Sequence, residues 1–477
     1  MRPFLLVLGL TVSAALTVAA VHVSLPQDGA EVEAVVLPQS PMPGRLLVGF
    51  HDDASLRWAP DRADMLDRAG EAGAAVIRTI VVWDQTAPHR PTDPAHPFEA
   101  AYRLDDVDDL ARSAQERGIE LLISIWGTPP WANGGQGPNH PPADARELEA
   151  FSQALADRYS GRHAGYPAVR LFSAWNEPNL EQFLAPQFDA DGRSMAPALY
   201  APIARAIYDG VKAGNPEALV AIGETSPRGH DLPSRGAVQD SHSPARFARL
   251  LSQERPTLRF DAWAQHPYPS RTNVAPDAAV RWPRVGLGNL ERLGESLDMW
   301  FGRPQTPLWV TEYAHETGRG NSVGIEPDLQ ARFAAQALDV AAQSPRVRLF
   351  VWFIFRDSSK NPWRSGVLAQ DGTPKPAFAS FGDAAQRLDG RNPVLPVDAE
   401  VARIPVLELA YYTEAGDPVE VRLEGRKPFS VPLRGDGWLD VPVEGRPGAV
   451  RRVRVIDAHG HSVTRLLRFE PSPFELH

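Results

Sequence analysis

The chain has 477 residues, 43% of them apolar and 8% aromatic, with 49 Lys and Arg against 59 Asp and Glu for a net charge of −10. Twelve Trp, nineteen Phe and nine Tyr can bury large cores, which excludes disorder as the main state. No long basic run offsets the acidity, which argues against nucleic acid as a partner, and the lack of Cys removes disulfides, thiolate metal sites and cysteine nucleophiles together.

At the N-terminus, Met1-Arg2-Pro3 precedes Phe4 to Val21, eighteen residues without an acidic or basic side chain. A short basic start before an apolar run reads as an export signal, expected over 1–26, with Val18-Ala19-Ala20 as a small-residue cleavage site. The run reaches only about 27 Å as a helix, slightly short of a membrane crossing, so cleavage and retention as a membrane anchor both stay open. Either outcome puts the rest of the chain outside the cytoplasm.

Apolar, β-branched runs follow at Arg45–Phe50, Val76–Val82, Leu121–Ile125, Val169–Trp175, Leu219–Ile222, Phe260–Gln265, Leu308–Thr311 and Val347–Phe353. Between them lie amphipathic patterns such as Ala63–Ala72, Val107–Arg117, Asp144–Tyr159, Leu199–Ala213 and Leu329–Gln343. Near-continuous apolar strands separated by helices imply parallel pairing with both faces covered. Eight such units predict an α/β fold, a (β/α)8 barrel over 27–390, better than an open doubly wound sheet. Phe50-His51-Asp52-Asp53 after the first strand is the wrong chemistry for a phosphate loop. The pattern breaks at Leu388 to Pro396, and period-two alternation with regular turn signals predicts a small all-β sandwich module over 398–471.

In such a barrel the active site lies at the C-terminal strand ends. Strand four closes Trp175-Asn176-Glu177-Pro178-Asn179 and strand seven closes Trp309-Val310-Thr311-Glu312-Tyr313, each putting a Glu at the rim. Two facing carboxyls are what glycosidic cleavage requires: one protonated to release the leaving oxygen, one ionised to attack the anomeric carbon. Taken singly, Asn-Glu-Pro reads equally as a helix N-terminus, since Pro suits the first turn and Glu the positive end of the dipole.

These two segments resemble the strand-four and strand-seven signatures of the clan A retaining glycoside hydrolases. Val76-Ile77-Arg78 is similar to the clan's strand-two Arg, Gln265-His266-Pro267-Tyr268 to its strand-six His-x-Tyr, and Trp352 to its strand-eight sugar-stacking Trp. Trp126-Gly127-Thr128-Pro129-Pro130-Trp131, the Asn-Glu-Pro-Asn-Leu run and the trailing β-module lean towards family 39, whereas the Arg78 context and His-x-Tyr fit family 5 equally well. The resemblance implies Glu177 as general acid/base and Glu312 as nucleophile, with Asn176 binding the sugar 2-hydroxyl and Arg78 holding the nucleophile. His266, Tyr268, Trp352, Trp126 and Trp131 complete the implied substrate site. Arg78 and Tyr268 beside Glu312 would favour its charged form, and Glu177 should have a raised pKa while Glu312 is negative.

Each assignment has a plainer counterpart. Arg78 could be salt-bridged within its strand, His266 a satisfied core imidazole, and the rim aromatics, Trp58, Trp83, Trp282 and Trp363 among them, packing for the helix tops. Glu224 closes strand five as either a third cleft carboxylate or a salt-bridge partner; Asp52, Asp84, Glu316 and Asp357 carry a weaker signal. No metal is expected, since no His-Glu-x-x-His spacing occurs and His459-Gly460-His461 lies in a turn of the β-module. The expectation is a retaining β-glycosidase acting on a carbohydrate without a cofactor; transglycosidase action on the same intermediate and a non-catalytic polysaccharide-binding barrel are the alternatives. Oligomeric state is not encoded in any of these features.

Overall fold

The computed structural model describes residues 46–388, except 235–238, 304 and 319–323, together with strand segments between 400 and 469. Segment 1–26, expected to direct export, lies outside the described residues. Among the described residues no helix is long and apolar enough to cross a membrane.

Eight parallel strands close a barrel in chain order: β1 (Leu47–His51), β2 (Val76–Val82), β3 (Glu120–Trp126), β4 (Leu171–Ala174), β5 (Leu219–Thr225), β6 (Ala262–Gln265), β7 (Leu308–Tyr313) and β8 (Val347–Phe353). The ring shuts where β8 returns to β1, pairing Leu47 with Leu349 and His51 with Phe353. Every expected strand is present, with ends displaced by at most three residues. A helix follows each one: α1 (Arg62–Glu71), α2 (Asp105–Glu116), α3 (Ala145–Arg158), α4 (Ala196–Gly214), α5 (Pro244–Glu254), α6 (Leu290–Phe301), α7 (Pro327–Gln343) and α8 (Pro376–Leu388). Their starts follow local chemistry. Asp144 caps α3 by accepting from the Arg146 N–H, while α5 and α7 open on Pro, which forfeits no intrahelical bond there.

Alternation along the strands sorts two cores. One face packs outward against the helices and holds Phe50, Ile77, Ile123, Phe172, Val220, Trp263, Val310, Phe350 and Trp352. The inner face starts as a plug with one residue from every strand: Leu47, Val76, Leu122, Leu171, Leu219, Ala262, Trp309 and Leu349. One pleat nearer the mouth the interior turns polar, with Arg78, Ser124 and Ser173 all buried and the two Ser hydroxyls 2.6 Å apart. An aliphatic floor beneath a polar storey fixes where chemistry can occur, because buried polar groups must find partners in the same layer.

Beyond α8, seven strands are described: β9 (Glu400–Ala402), β10 (Val406–Ala410), β11 (Pro418–Leu423), β12 (Phe429–Pro432), β13 (Trp438–Pro442), β14 (Val450–Ile456) and β15 (Ser462–Phe469). They form a two-stranded sheet, β10-β13, and a five-stranded one ordered β12-β11-β14-β15-β9.

Candidate active site

The polar storey is organised by Arg78, which is fully buried on β2. Its Nε donates to Ser124 Oγ at 2.9 Å, Nη2 reaches Asn176 Oδ1 at 2.9 Å and Glu224 Oε1 at 3.0 Å, and Nη1 reaches Glu312 Oε1 at 2.5 Å. A guanidinium only donates, so the Asn176 amide must turn its oxygen to Arg78 and its NH2 away. One cation thereby ties the ends of β2, β3, β4, β5 and β7 together.

Glu312 receives the densest set of donors. Besides Arg78, His51 Nδ1 lies 3.2 Å from Oε1, the Tyr268 hydroxyl donates to Oε2 at 2.9 Å, and His266 Nδ1 stands 3.6 Å from Oε2. Burial alone would push the Glu312 carboxyl up, but the positive charges of His266 and Arg78 and the neighbouring His51 imidazole hold it well below the usual carboxylate range. Glu177 faces the same imidazole: His266 Nδ1 is 2.9 Å from its Oε1. The side chains of Glu177 and Glu312 keep 15% and 12% exposure, whereas those of Arg78, Glu224 and His266 keep none. The two carboxylates therefore end at the cleft surface while their supports are sealed beneath.

The chain reaches this arrangement through unusual backbone. Just past β4, Trp175 and Glu177 have φ of 72° and 39°, and Glu224 near the end of β5 has 45°. L-residues rarely occupy this left-handed region, and each such residue costs about 1–3 kcal/mol. The Glu177 N–H donates to the Glu224 carbonyl at 3.0 Å, so the two turns brace each other. Beside them Gly223, φ 90°, has no room for a side chain, since a Cβ there would lie 2.4 Å from the Trp263 ring.

Burial would lower His266, but the negative charge of Glu312, the bond to Glu177 and the Glu224 carboxylate 3.8 Å from Nε2 carry it up to about 9. A group raised in the folded state contributes fully below its ordinary value of 6.5 and loses that contribution as pH climbs through about 9. The carboxylates of Glu312 and Glu224 are depressed and contribute in the opposite sense, losing their share as pH falls below the ordinary carboxylate range. Thermal unfolding followed against pH should accordingly show Tm falling between pH 6.5 and about 9, and His266→Gln should flatten that decline. An equally steep decline in the variant would mean that another group is responsible.

Of the residues singled out in the sequence, Arg78, Asn176, Glu177, His266, Tyr268 and Glu312 come together in this one network. Trp352 does not. It lies on the outward face of β8, fully buried against Tyr313, His315 and Phe381, and its Nε1 donates to the Ser365 carbonyl at 2.8 Å. The stacking role expected of it is therefore corrected: the inward aromatic is its neighbour Phe353, with ring centroids 5.3 Å from His51 and 5.6 Å from Trp363. Trp363, 37% exposed, lies 5.5 Å from the Tyr268 ring and extends that aromatic wall. Trp126 and Trp131 are half-buried at the rim, with their indole N–H groups bound to the carbonyls of Phe183 and Ala87. Asp52 accepts from the Phe355 and Arg356 amides and Asp357 pairs with Lys375, both structural duties.

His51 and Phe353 are the residues that sequence reasoning missed. Their signal was parity: His51 sits opposite Arg78 in the β1–β2 register, on the inward face.

Residues 46–284, half of the chain, match the model of the family described as Cellulase (glycosyl hydrolase family 5). No curated protein matches the chain. Among solved structures, it is similar to a glucosidase from Croceicoccus marinus, with TM-score 0.55 and 14% identity over 90% of this chain and 97% of that one. It is also similar to a family 39 glycoside hydrolase from Bacteroides cellulosilyticus, with TM-score 0.53 and 17% identity over 84% and 80%. A GH5_18 protein from Streptomyces cattleya in complex with GlcNAc gives TM-score 0.52 and 16% identity over 76% and 85%. At these identities the likenesses show the fold, and the family match supplies the rest: the chain belongs to the cellulase family, glycosyl hydrolase family 5, and is a retaining O-glycosyl hydrolase of clan A.

Proposed function

We propose that the protein cleaves β-glycosidic bonds of an oligosaccharide, polysaccharide or glycoconjugate by double displacement, with Glu312 as nucleophile and Glu177 as general acid/base. One observation carries the reading. A single imidazole nitrogen stands 2.9 Å from one carboxylate and 3.6 Å from the other, so their nearest oxygens lie no farther apart than the sum of these legs. This upper limit brings the pair within reach of the spacing of about 5–5.5 Å used by retaining enzymes, and no further than the lower end of the range of about 6.5–9.5 Å used by inverting ones, which need a water between the carboxyls.

The roles follow from the partners. Arg78, His266 and Tyr268 converge on Glu312 and keep it ionised, as an attacking carboxylate must be. Glu177 is free of that cluster except through His266. In the first step a Glu312 oxygen bonds to the anomeric carbon as the bond to the leaving oxygen breaks, and the Glu177 proton passes to that oxygen. In the second, Glu177 takes a proton from water, whose oxygen bonds to the anomeric carbon and expels Glu312. The Asn176 NH2, turned away from Arg78, is the donor available for a hydroxyl of the bound sugar. Phe353 and Trp363 provide apolar faces of the kind that sugar rings stack on. Export by the 1–26 segment, cleaved or kept as an anchor, would place this activity outside the cytoplasm, where polysaccharide is met.

The test is a panel of aryl β-glucosides, β-mannosides, β-xylosides and β-N-acetylglucosaminides, with the first-formed sugar followed by proton NMR. The expected product is the β-anomer, which mutarotates only later. Initial release of the α-anomer would exclude double displacement.

A further inference from the structure

Glu224 is a fully buried carboxylate that neither step uses, yet it touches the supports of both reacting groups. Its Oε1 lies 3.0 Å from Arg78 Nη2 and 3.8 Å from His266 Nε2, and Ser124 Oγ is 3.4 Å away. Its carbonyl accepts from the Glu177 amide. Among the described residues, the carboxylates within ion-pair distance of the Arg78 guanidinium are Glu224 and Glu312.

Charge changes hands in this layer during turnover. Before reaction Arg78 is shared between two anions. Once Glu312 is esterified to the sugar it is neutral, and Glu177, having given up its proton, becomes the anion beside His266. Arg78 gains nothing from that exchange. A guanidinium with no exposed surface then depends on Glu224 for its whole compensation, and an uncompensated buried charge is strongly unfavourable.

We propose that Glu224 is a positioning residue that serves as the standing counter-ion of Arg78 while Glu312 is covalently occupied by sugar. The proposal rests on the reading of Glu312 as nucleophile. Its kinetic consequence has a definite sense. Without the Glu224 charge, Arg78 draws harder on Glu312, so Glu312 attacks more slowly and leaves more readily. Forming the glycosyl-enzyme should therefore slow while its breakdown does not. A residue that merely supported the fold would slow both steps or neither.

The two steps can be timed separately with dinitrophenyl glycosides of glucose, mannose and xylose that carry fluorine at the second carbon, which trap the covalent intermediate. Glu224→Gln, close to isosteric, is expected to lower the rate of trapping roughly tenfold or more, with reactivation of the trapped enzyme unchanged or faster. Should that variant fail to fold, Glu224→Asp, which withdraws the charge by one methylene, must move the two rates in the same opposed directions to a smaller extent. Equal slowing of both steps, or no change in either, overturns the proposal. Peptide mapping of the trapped wild type separates the two levels of inference. A label on Glu312 with unaltered Glu224 kinetics defeats this proposal alone, whereas a label elsewhere, or none from the probe of a sugar whose aryl glycoside the wild type hydrolyses, defeats the nucleophile assignment along with it.

Discussion

Glu312→Gln is expected to lose kcat/KM by roughly five orders of magnitude on every substrate the wild type accepts, the scale on which removal of a covalent nucleophile acts. At 1.36 kcal/mol per tenfold this is about 7 kcal/mol of lost transition-state stabilisation. The amide can keep its oxygen on Arg78, while the Tyr268 hydroxyl, which meets the other carboxylate oxygen, can turn to accept from the NH2, so the pocket should remain assembled and the folded protein should be recovered. What it lacks is the negative charge that attacks and then leaves. The measurement is steady-state turnover of an activated aryl β-glycoside alongside thermal unfolding. Retained turnover in a folded Glu312→Gln protein would remove this carboxylate from the mechanism.

Glu177→Ala should behave differently, because its loss harms each step to an extent set by the chemistry around it. On substrates with poor leaving groups the rate should fall by about 10²–10⁴, the usual contribution of a positioned proton donor. A dinitrophenyl glycoside needs no protonation to depart, so its first step should proceed and the glycosyl-enzyme should accumulate. Azide, a nucleophile that requires no general base, should then restore turnover and yield the β-glycosyl azide. If azide has no effect, or if good and poor leaving groups suffer alike, Glu177 is not the acid/base.

Much of this was legible in the chain because barrel strands are short apolar runs that end on the residues bearing the chemistry. Glu177 follows three residues after the end of β4 and Glu312 is the next-to-last residue of β7, and an Arg inside the apolar run of β2 had to have a buried partner. The signal failed where a strand is apolar on both faces. Val347–Phe353 reads Val-Arg-Leu-Phe-Val-Trp-Phe, with no polar residue near its end to mark which side points inward. A slip of one residue then exchanges faces, and Trp352 stood in for Phe353. His51 failed for another reason. Its meaning lies in Glu312, 261 residues away, and only barrel closure brings the two within 3.2 Å. The sharing of Arg78 between two carboxylates was out of reach for the same cause, since three separate strand ends must meet before it exists.

The left-handed residues at the rim set durability against chemistry. Glycine at 177 would relax the backbone there by up to about 1–3 kcal/mol, yet it deletes the proton donor. Selection for heat resistance alone should therefore drift towards inactive chains at this position, and screens for hardier variants of this enzyme must score turnover in the same round.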